Sequence, residues 1–160
     1  MTPAIQLLKK HHIQHQVHRY THAPTSHAYG LEAAEKLGIT TTRVFKTLLV
    51  QLDNQAFALG IIPVSTTLSM KAIAKAAGAK KANMALPTDV ERTTGYVLGG
   101  VSPLGQKKRL TTLIDRSAQT LETIYISAGR RGLEIELKPD DLQKLVDGTF
   151  TSLCTLGASD

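Results

Sequence analysis

The spacing of apolar and polar positions changes several times along the chain, and each change predicts an element. Thr2-Pro3 followed by Ala4, Ile5, Leu7 and Leu8 reads as a capped helix running to about residue 10. Alternation around Val17 predicts a short strand over residues 15–20, and Pro24, Ser26 and Gly30 mark a loop over 21–30. Residues 31–37 read as a short helix stopped by Gly38. The clearest strand is residues 44–52, which Asp53-Asn54 turns into a second strand over 56–62, so the pair reads as a hairpin. Ser69 caps a helix over 70–77 that Gly78 closes, and Pro87 opens another that ends before Gly95. Strands follow at 110–114, 123–127 and 133–137. Pro139-Asp140-Asp141 then starts a last helix, with acids in its first turn where the helix dipole favours them, and Gly148 ends it.

Hairpins mixed with helices predict one α+β (mixed α/β) domain over residues 1–150, with 151–160 as a loose, flexible tail. With 42% hydrophobic and 20% charged residues in 160, the chain can bury one sizeable core. The longest apolar run, residues 58–64, is interrupted by Pro63, so no membrane span is predicted. At the N-terminus the lysines follow the apolar residues instead of preceding them, which does not fit a signal peptide and suggests the cytoplasm. A single cysteine, Cys154, excludes a disulfide framework and a thiolate metal cluster.

The net charge of +6 is unevenly spread. Residues 71–109 hold eight basic side chains against two acidic, whereas residues 110–160 hold five against eight. A polyanion-binding face needs such an asymmetry, although an ordinary lysine-rich surface also shows it.

Candidate chemistry is sparse. All six histidines (His11, His12, His15, His18, His22 and His27) precede residue 28, but no HExxH pair accompanies them. If His15 and His18 share a strand they face opposite ways, so solvated or locally bonded histidines are the better reading and no metal is expected. Gly100 and Gly105 have P-loop separation, yet Gln106 stands where the lysine belongs, and Pro103 removes a backbone donor. The adjacent Gly99 and Gly100 allow either close approach to a ligand or a tight turn. Lys46 lies among branched aliphatics in Val44-Phe45-Lys46-Thr47-Leu48-Leu49-Val50, where it either snorkels at the sheet rim or points into a cavity to meet an anion or carbonyl. Ser127 ends an apolar strand beside a glycine-rich turn, a place for a substrate contact or a turn cap. No nucleophile elbow or catalytic triad is legible, and Cys154 lacks the fixed base that a nucleophile needs.

Several segments, in order, resemble the YbaK/EbsC family of Cys-tRNA(Pro) deacylases, relatives of the editing domain of bacterial prolyl-tRNA synthetases. They are Met-Thr-Pro-Ala-Ile at 1–5, Glu-Ala-Ala-Glu-Lys-Leu-Gly at 32–38, Phe-Lys-Thr-Leu-Leu-Val at 45–50, Thr-Gly-Tyr-Val-Leu-Gly-Gly-Val-Ser-Pro-Leu-Gly-Gln-Lys-Lys-Arg at 94–109, and Glu-Thr-Ile-Tyr-Ile-Ser-Ala-Gly-Arg-Arg-Gly-Leu at 122–133. The resemblance implies a mixed, partly barrel-like β-sheet surrounded by helices. It also implies a trans-editing enzyme that cleaves Cys-tRNA(Pro) with help from the substrate's own thiol, without metal or other cofactor. It puts Lys46, Gly99 and Ser127 in catalytic positions and Tyr20, Tyr29, Thr47 and Gly100 around the substrate. The tRNA-facing residues, chosen by charge, are Lys71, Lys75, Lys80, Lys81, Lys107, Lys108 and Arg109. The implied partners are tRNA(Pro) and prolyl-tRNA synthetase. Deacylation of Ala-tRNA(Pro) or of another small aminoacyl group is the alternative activity, and an inactive tRNA- or synthetase-binding module is the alternative from another class.

Overall fold

Helix caps and strand alternation govern most of the architecture. The computed structural model describes residues 1–26 and 28–155. In chain order the elements are α1 (Pro3–Lys10), β1 (His15–Arg19), α2 (Tyr29–Leu37), β2 (Phe45–Leu52), β3 (Phe57–Pro63), β4 (Thr67–Leu68), α3 (Met70–Ala76), β5 (Ala82–Met84) and α4 (Pro87–Thr94). They continue with β6 (Thr111–Asp115), a 3-10 turn (Arg116–Thr120), β7 (Ile124–Arg130), β8 (Leu133–Leu137), α5 (Pro139–Val146), β9 (Thr149–Thr151) and β10 (Cys154–Thr155). Thr2 caps α1 by accepting the Ile5 N–H at 3.3 Å, with Pro3 at the first helical position. Ser69 does the same for α3, accepting from Ala72 N–H at 3.0 Å.

The strands form three sheets, in the orders β1-β8-β7, β10-β4 and β5-β2-β3-β6-β9. The largest is mixed: β2 is antiparallel to β3 and β5, while β3-β6 and β6-β9 are parallel. Its inward face (Phe45, Ile61, Ile114) meets Ile124, Ile126 and Ile135 of the three-stranded sheet, and α1 and α5 close this main core through Leu8 and Leu142. On the opposite face Val50, Ala58 and Ile62 pack against Ile73 and Ala74 of α3. Burying a leucine or isoleucine side chain of this kind is worth about 1.5–3 kcal/mol.

The mixed sheets are not closed into a barrel, in keeping with the partly barrel-like arrangement that the resemblance implies. The three-stranded and five-stranded sheets are joined by a single parallel bridge, Val44 to Tyr125, with the Tyr125 N–H donating to Arg43 O at 2.9 Å. Beyond Tyr125, β7 leaves β2 and pairs with β8, and its register shifts between Ser127 and Arg130. Residues 151–155 do not form the expected loose tail. Thr151 pairs with Asp115, and Cys154 pairs with Leu68. The Leu153 N–H donates to the Asp115 carboxylate at 2.9 Å, with Leu153 fully buried. Residues 156–160 of that tail, and His27, lie outside the described residues.

Candidate active site

The split between β2 and β7 becomes a cavity of about 420 Å³. Along β2, the even-numbered residues spend their backbone groups on β3, as the bonds Leu52 N to Ala56 O and Val64 N to Val44 O show. The odd-numbered ones face the other edge. There Arg43 O is taken by Tyr125 and Leu49 O by the Ala85 N–H at 3.0 Å, while β5 covers only residues 50–52. Thr47 lies between these two ties with no strand beside it. The residue is 9% exposed and lines the cavity, and its Oγ1 has no hydrogen-bond partner among the described residues. An unanswered buried hydroxyl marks a place where a ligand can supply the missing bond.

Lys46 also lines the cavity. Partial burial lowers its pKa below the ordinary lysine range, opposed by the nearby Cys154. An ammonium in that setting gains most from an incoming anion or a developing oxyanion. Across the split stand Ser127, whose Oγ accepts the Gly129 N–H at 3.1 Å, and Tyr20, whose phenol burial and neighbouring carboxylates hold protonated. The roof is Tyr29, at the start of α2, with Arg131 stacked on its ring at 4.2 Å and donating to Leu98 O at 2.7 Å.

Gly99 permits this roof. It adopts φ +87°, and a Cβ there would stand 2.4 Å from the Tyr29 ring. Gly100 serves the fold and not the cavity: a Cβ would meet the Arg130 backbone at 2.9 Å, and its N–H is spent on Val97 O. So Tyr20, Tyr29, Lys46, Thr47, Gly99 and Ser127 converge on one cavity, and Gly100 does not line it. The loop before α2 is fixed by Glu32, which accepts from His22 at 2.6 Å and from the Ala23 N–H at 2.7 Å. Burial raises the pKa of Glu32, but these bonds outweigh it and hold the carboxyl below its ordinary value. His18 bonds Glu136, and His15 bonds Ile13 O. These histidines serve local structure.

The basic residues do not form one face. Lys71 and Lys75 ride on α3, on one side of the five-stranded sheet, and Lys80 sits by the hairpin turn, its N–H donating to Asp53 at 3.2 Å. Lys108 and Arg109 line a second cleft of about 540 Å³ on the other side, with Leu59, Thr112 and Lys144. All seven candidates are exposed, Lys81 and Lys107 included, and none lines the Lys46 cavity. Sequence reading missed two residues that do, Glu134 and Arg131. Arg131 had a signal in the Gly-Arg-Arg-Gly turn, whereas Glu134 alternates with apolar neighbours like any solvent-facing residue.

Comparison with known proteins adds the class. The crystal structure of the hypothetical protein APE2540 superposes with a TM-score of 0.86 at 23% identity, covering 96% of this chain and all of that one. The crystal structure of a candidate trans-editing enzyme for prolyl-tRNA synthetase superposes at 0.80 with 19% identity, over 98% and 99% of the two chains. The fold is therefore that of these proteins. Residues 23–145 match the aminoacyl-tRNA editing domain, and the chain belongs to that family. It is 36% identical, over 96% of its own length and 93% of the relative's, to an Enterococcus faecalis (strain ATCC 700802 / V583) protein named as a candidate Cys-tRNA(Pro)/Cys-tRNA(Cys) deacylase, EbsC. Among the described residues no helix is long and apolar enough to cross a membrane.

Proposed function

We propose that this protein removes cysteine from mischarged tRNA(Pro) by cleaving the aminoacyl ester in the cavity along the open edge of β2. The observation that carries the reading is the character of that cavity. It offers a partly buried lysine, an unanswered threonine hydroxyl and a glycine-shaped roof, but no cysteine or histidine lines it among the described residues. Cys154 is close enough to Lys46 to feel its charge but does not line the cavity; it is hydrogen-bonded to Thr66 at 3.2 Å, and burial raises its thiol pKa to about 11. It is too weak an acid to supply a thiolate.

The substrate's own thiol then serves as nucleophile. Its sulfur attacks the ester carbonyl carbon, a C–S bond forms, and the C–O bond to the terminal ribose breaks. The departing ribose oxygen takes the proton that the thiol gives up, and the released cyclic thioester is hydrolysed by water. Lys46 holds the aminoacyl end through the carbonyl or the terminal phosphate. The Gly99 N–H supplies a hydrogen bond to the oxyanion, and a donor of that kind is typically worth about 3 kcal/mol. Ser127 and Tyr20 position the amino acid. This chemistry separates cysteine from alanine and proline, which cavity shape does only weakly. The exposed basic residues between Lys71 and Arg109 supply the field that attracts tRNA, and prolyl-tRNA synthetase selects which tRNA arrives.

Hydrolysis of Cys-tRNA(Pro), Ala-tRNA(Pro) and Pro-tRNA(Pro) by the wild-type protein tests the proposal. Release of cysteine alone is expected, and S-methylation of the cysteine should abolish it. Equal or faster release of alanine would leave an ester-cleaving cavity without thiol chemistry. No release from any of the three would leave a binding module.

A further inference from the structure

Glu134 and Glu136 lie two residues apart on the same face of β8, yet their surroundings are opposite. Glu136 accepts from His18 at 2.9 Å and from Thr123 at 2.6 Å, and it stands 3.6 Å from Arg43. Those bonds outweigh the cost of burial and keep its carboxyl below the ordinary value. Glu134 is 6% exposed and lines the cavity, and no hydrogen bond or ion pair answers it among the described residues. Its neighbours across the ladder are His18 on β1 and Ser127 on β7, with Tyr20 close enough to feel its charge. Burial without a partner pushes its pKa up to about 8.

A desolvated carboxyl that faces a cavity without a protein partner gains from a cation that enters the cavity. The other charges around the cavity define the ligand further. Lys46 and Arg131 are its cations, and Arg131 is already engaged by the Tyr29 ring and Leu98 O. Glu134 is the one carboxylate among the described lining residues. A ligand with an anionic and a cationic end would therefore lie with its anion towards Lys46 and its cation towards Glu134.

Resting on the deacylase reading, we propose that Glu134 receives the substrate's α-ammonium group, so that the site requires an aminoacyl ester with a free amine. The carboxyl is held ready in protonated form and can pass its proton to an unprotonated amine, the O–H bond breaking as the N–H bond forms. The same ion pair results whichever group carries the proton at first. Such a contact orients the amino acid from the side opposite Lys46 and excludes N-blocked aminoacyl groups.

The test compares single-turnover hydrolysis of Cys-tRNA(Pro) and N-acetyl-Cys-tRNA(Pro) by the wild type and Glu134→Gln. The wild type should favour the free amine by about 10-fold or more, the scale of a hydrogen bond to a charged group, and Glu134→Gln should bring that ratio close to one. Comparable rates for the two substrates with the wild type, or a Glu134→Gln variant that keeps the wild-type ratio, would overturn the assignment while leaving the deacylase reading intact. A wild type inert towards both would overturn the deacylase reading and this assignment with it. Binding of a non-hydrolysable cysteinyl-adenosine amide and its N-acetyl form to the wild type provides a check that needs no variant. The free amine should bind about 10-fold tighter, and equal binding would count against the proposal.

Discussion

The two ends of β2 teach how the site is made. Residues 50–52 are clamped by β3 on one side and β5 on the other, with Val50 and Leu52 sealed in the core. Residues 45–49 have β3 alone, apart from the ties at Val44 and Leu49. At the clamped end the strand is paired on both edges, and Val50 and Leu52 are buried. At the open end the strand keeps Thr47 unanswered and holds Lys46 at the edge of a cavity. The cavity is a missing stretch of sheet, created where β7 turns away after one bridge. Its polar groups are available because no strand consumes them.

Substitutions at the open end should act on activity, and those at the clamped side should act little. The largest effect is expected from Gly99→Val, whose side chain would collide with the Tyr29 ring and meet an unfavourable positive φ. Steady-state assays should show hydrolysis falling about 100-fold, with stability lowered by about 1–3 kcal/mol. Wild-type activity would mean that the roof is dispensable. Thr47→Val should divide the two properties: activity falls about 10-fold, while thermal unfolding shows stability unchanged or raised by about 1 kcal/mol, because a buried unbonded hydroxyl is removed. A variant that melts earlier would show that the hydroxyl is bonded within the protein.

Glu134→Gln carries a pH signature. With a folded pKa of about 8 against an ordinary value of 4.5, the unfolded chain loses this proton first as pH rises. Wild-type stability should therefore decline by up to about 1.4 kcal/mol per pH unit between those values, and level off above pH 8. Melts at pH 5, 6.5 and 8 should show Glu134→Gln gaining on the wild type as pH rises, and a gain growing towards acid would contradict the assignment. The smallest effect belongs to Cys154→Ser, on the α3 side of the sheet, which should change hydrolysis by less than about two-fold because a thiol with a pKa of about 11 is inert at neutral pH.

Much of the fold was legible because its long elements obey strong rules. The Thr2-Pro3 and Ser69 caps and the strands in residues 45–62 and 133–137 lie where the sequence predicts them. The strands at Thr67–Leu68, Ala82–Met84, Thr149–Thr151 and Cys154–Thr155 were not legible, since two or three residues carry no period and pairing with distant partners defines them. The partly barrel-like sheet came from the family resemblance and not from local pattern, because where it opens depends on how far β7 follows β2. From spacing alone, Lys46 was balanced between rim and cavity. The missing neighbour strand resolves that balance. Glu134 was hidden for the opposite reason: Leu-Glu-Ile-Glu-Leu gives its two glutamates identical contexts, and only the fold buries one without a partner while answering the other.

The most direct measurement is single-turnover deacylation of Cys-tRNA(Pro) by the wild type and Lys46→Ala, with thermal melts to verify that both are folded. If the open edge of β2 is the reaction site, Lys46→Ala should lose at least about 100-fold in rate while keeping its melting temperature, because a half-buried ammonium adds little to the fold. A folded Lys46→Ala that deacylates at the wild-type rate would place the chemistry elsewhere and contradict the account.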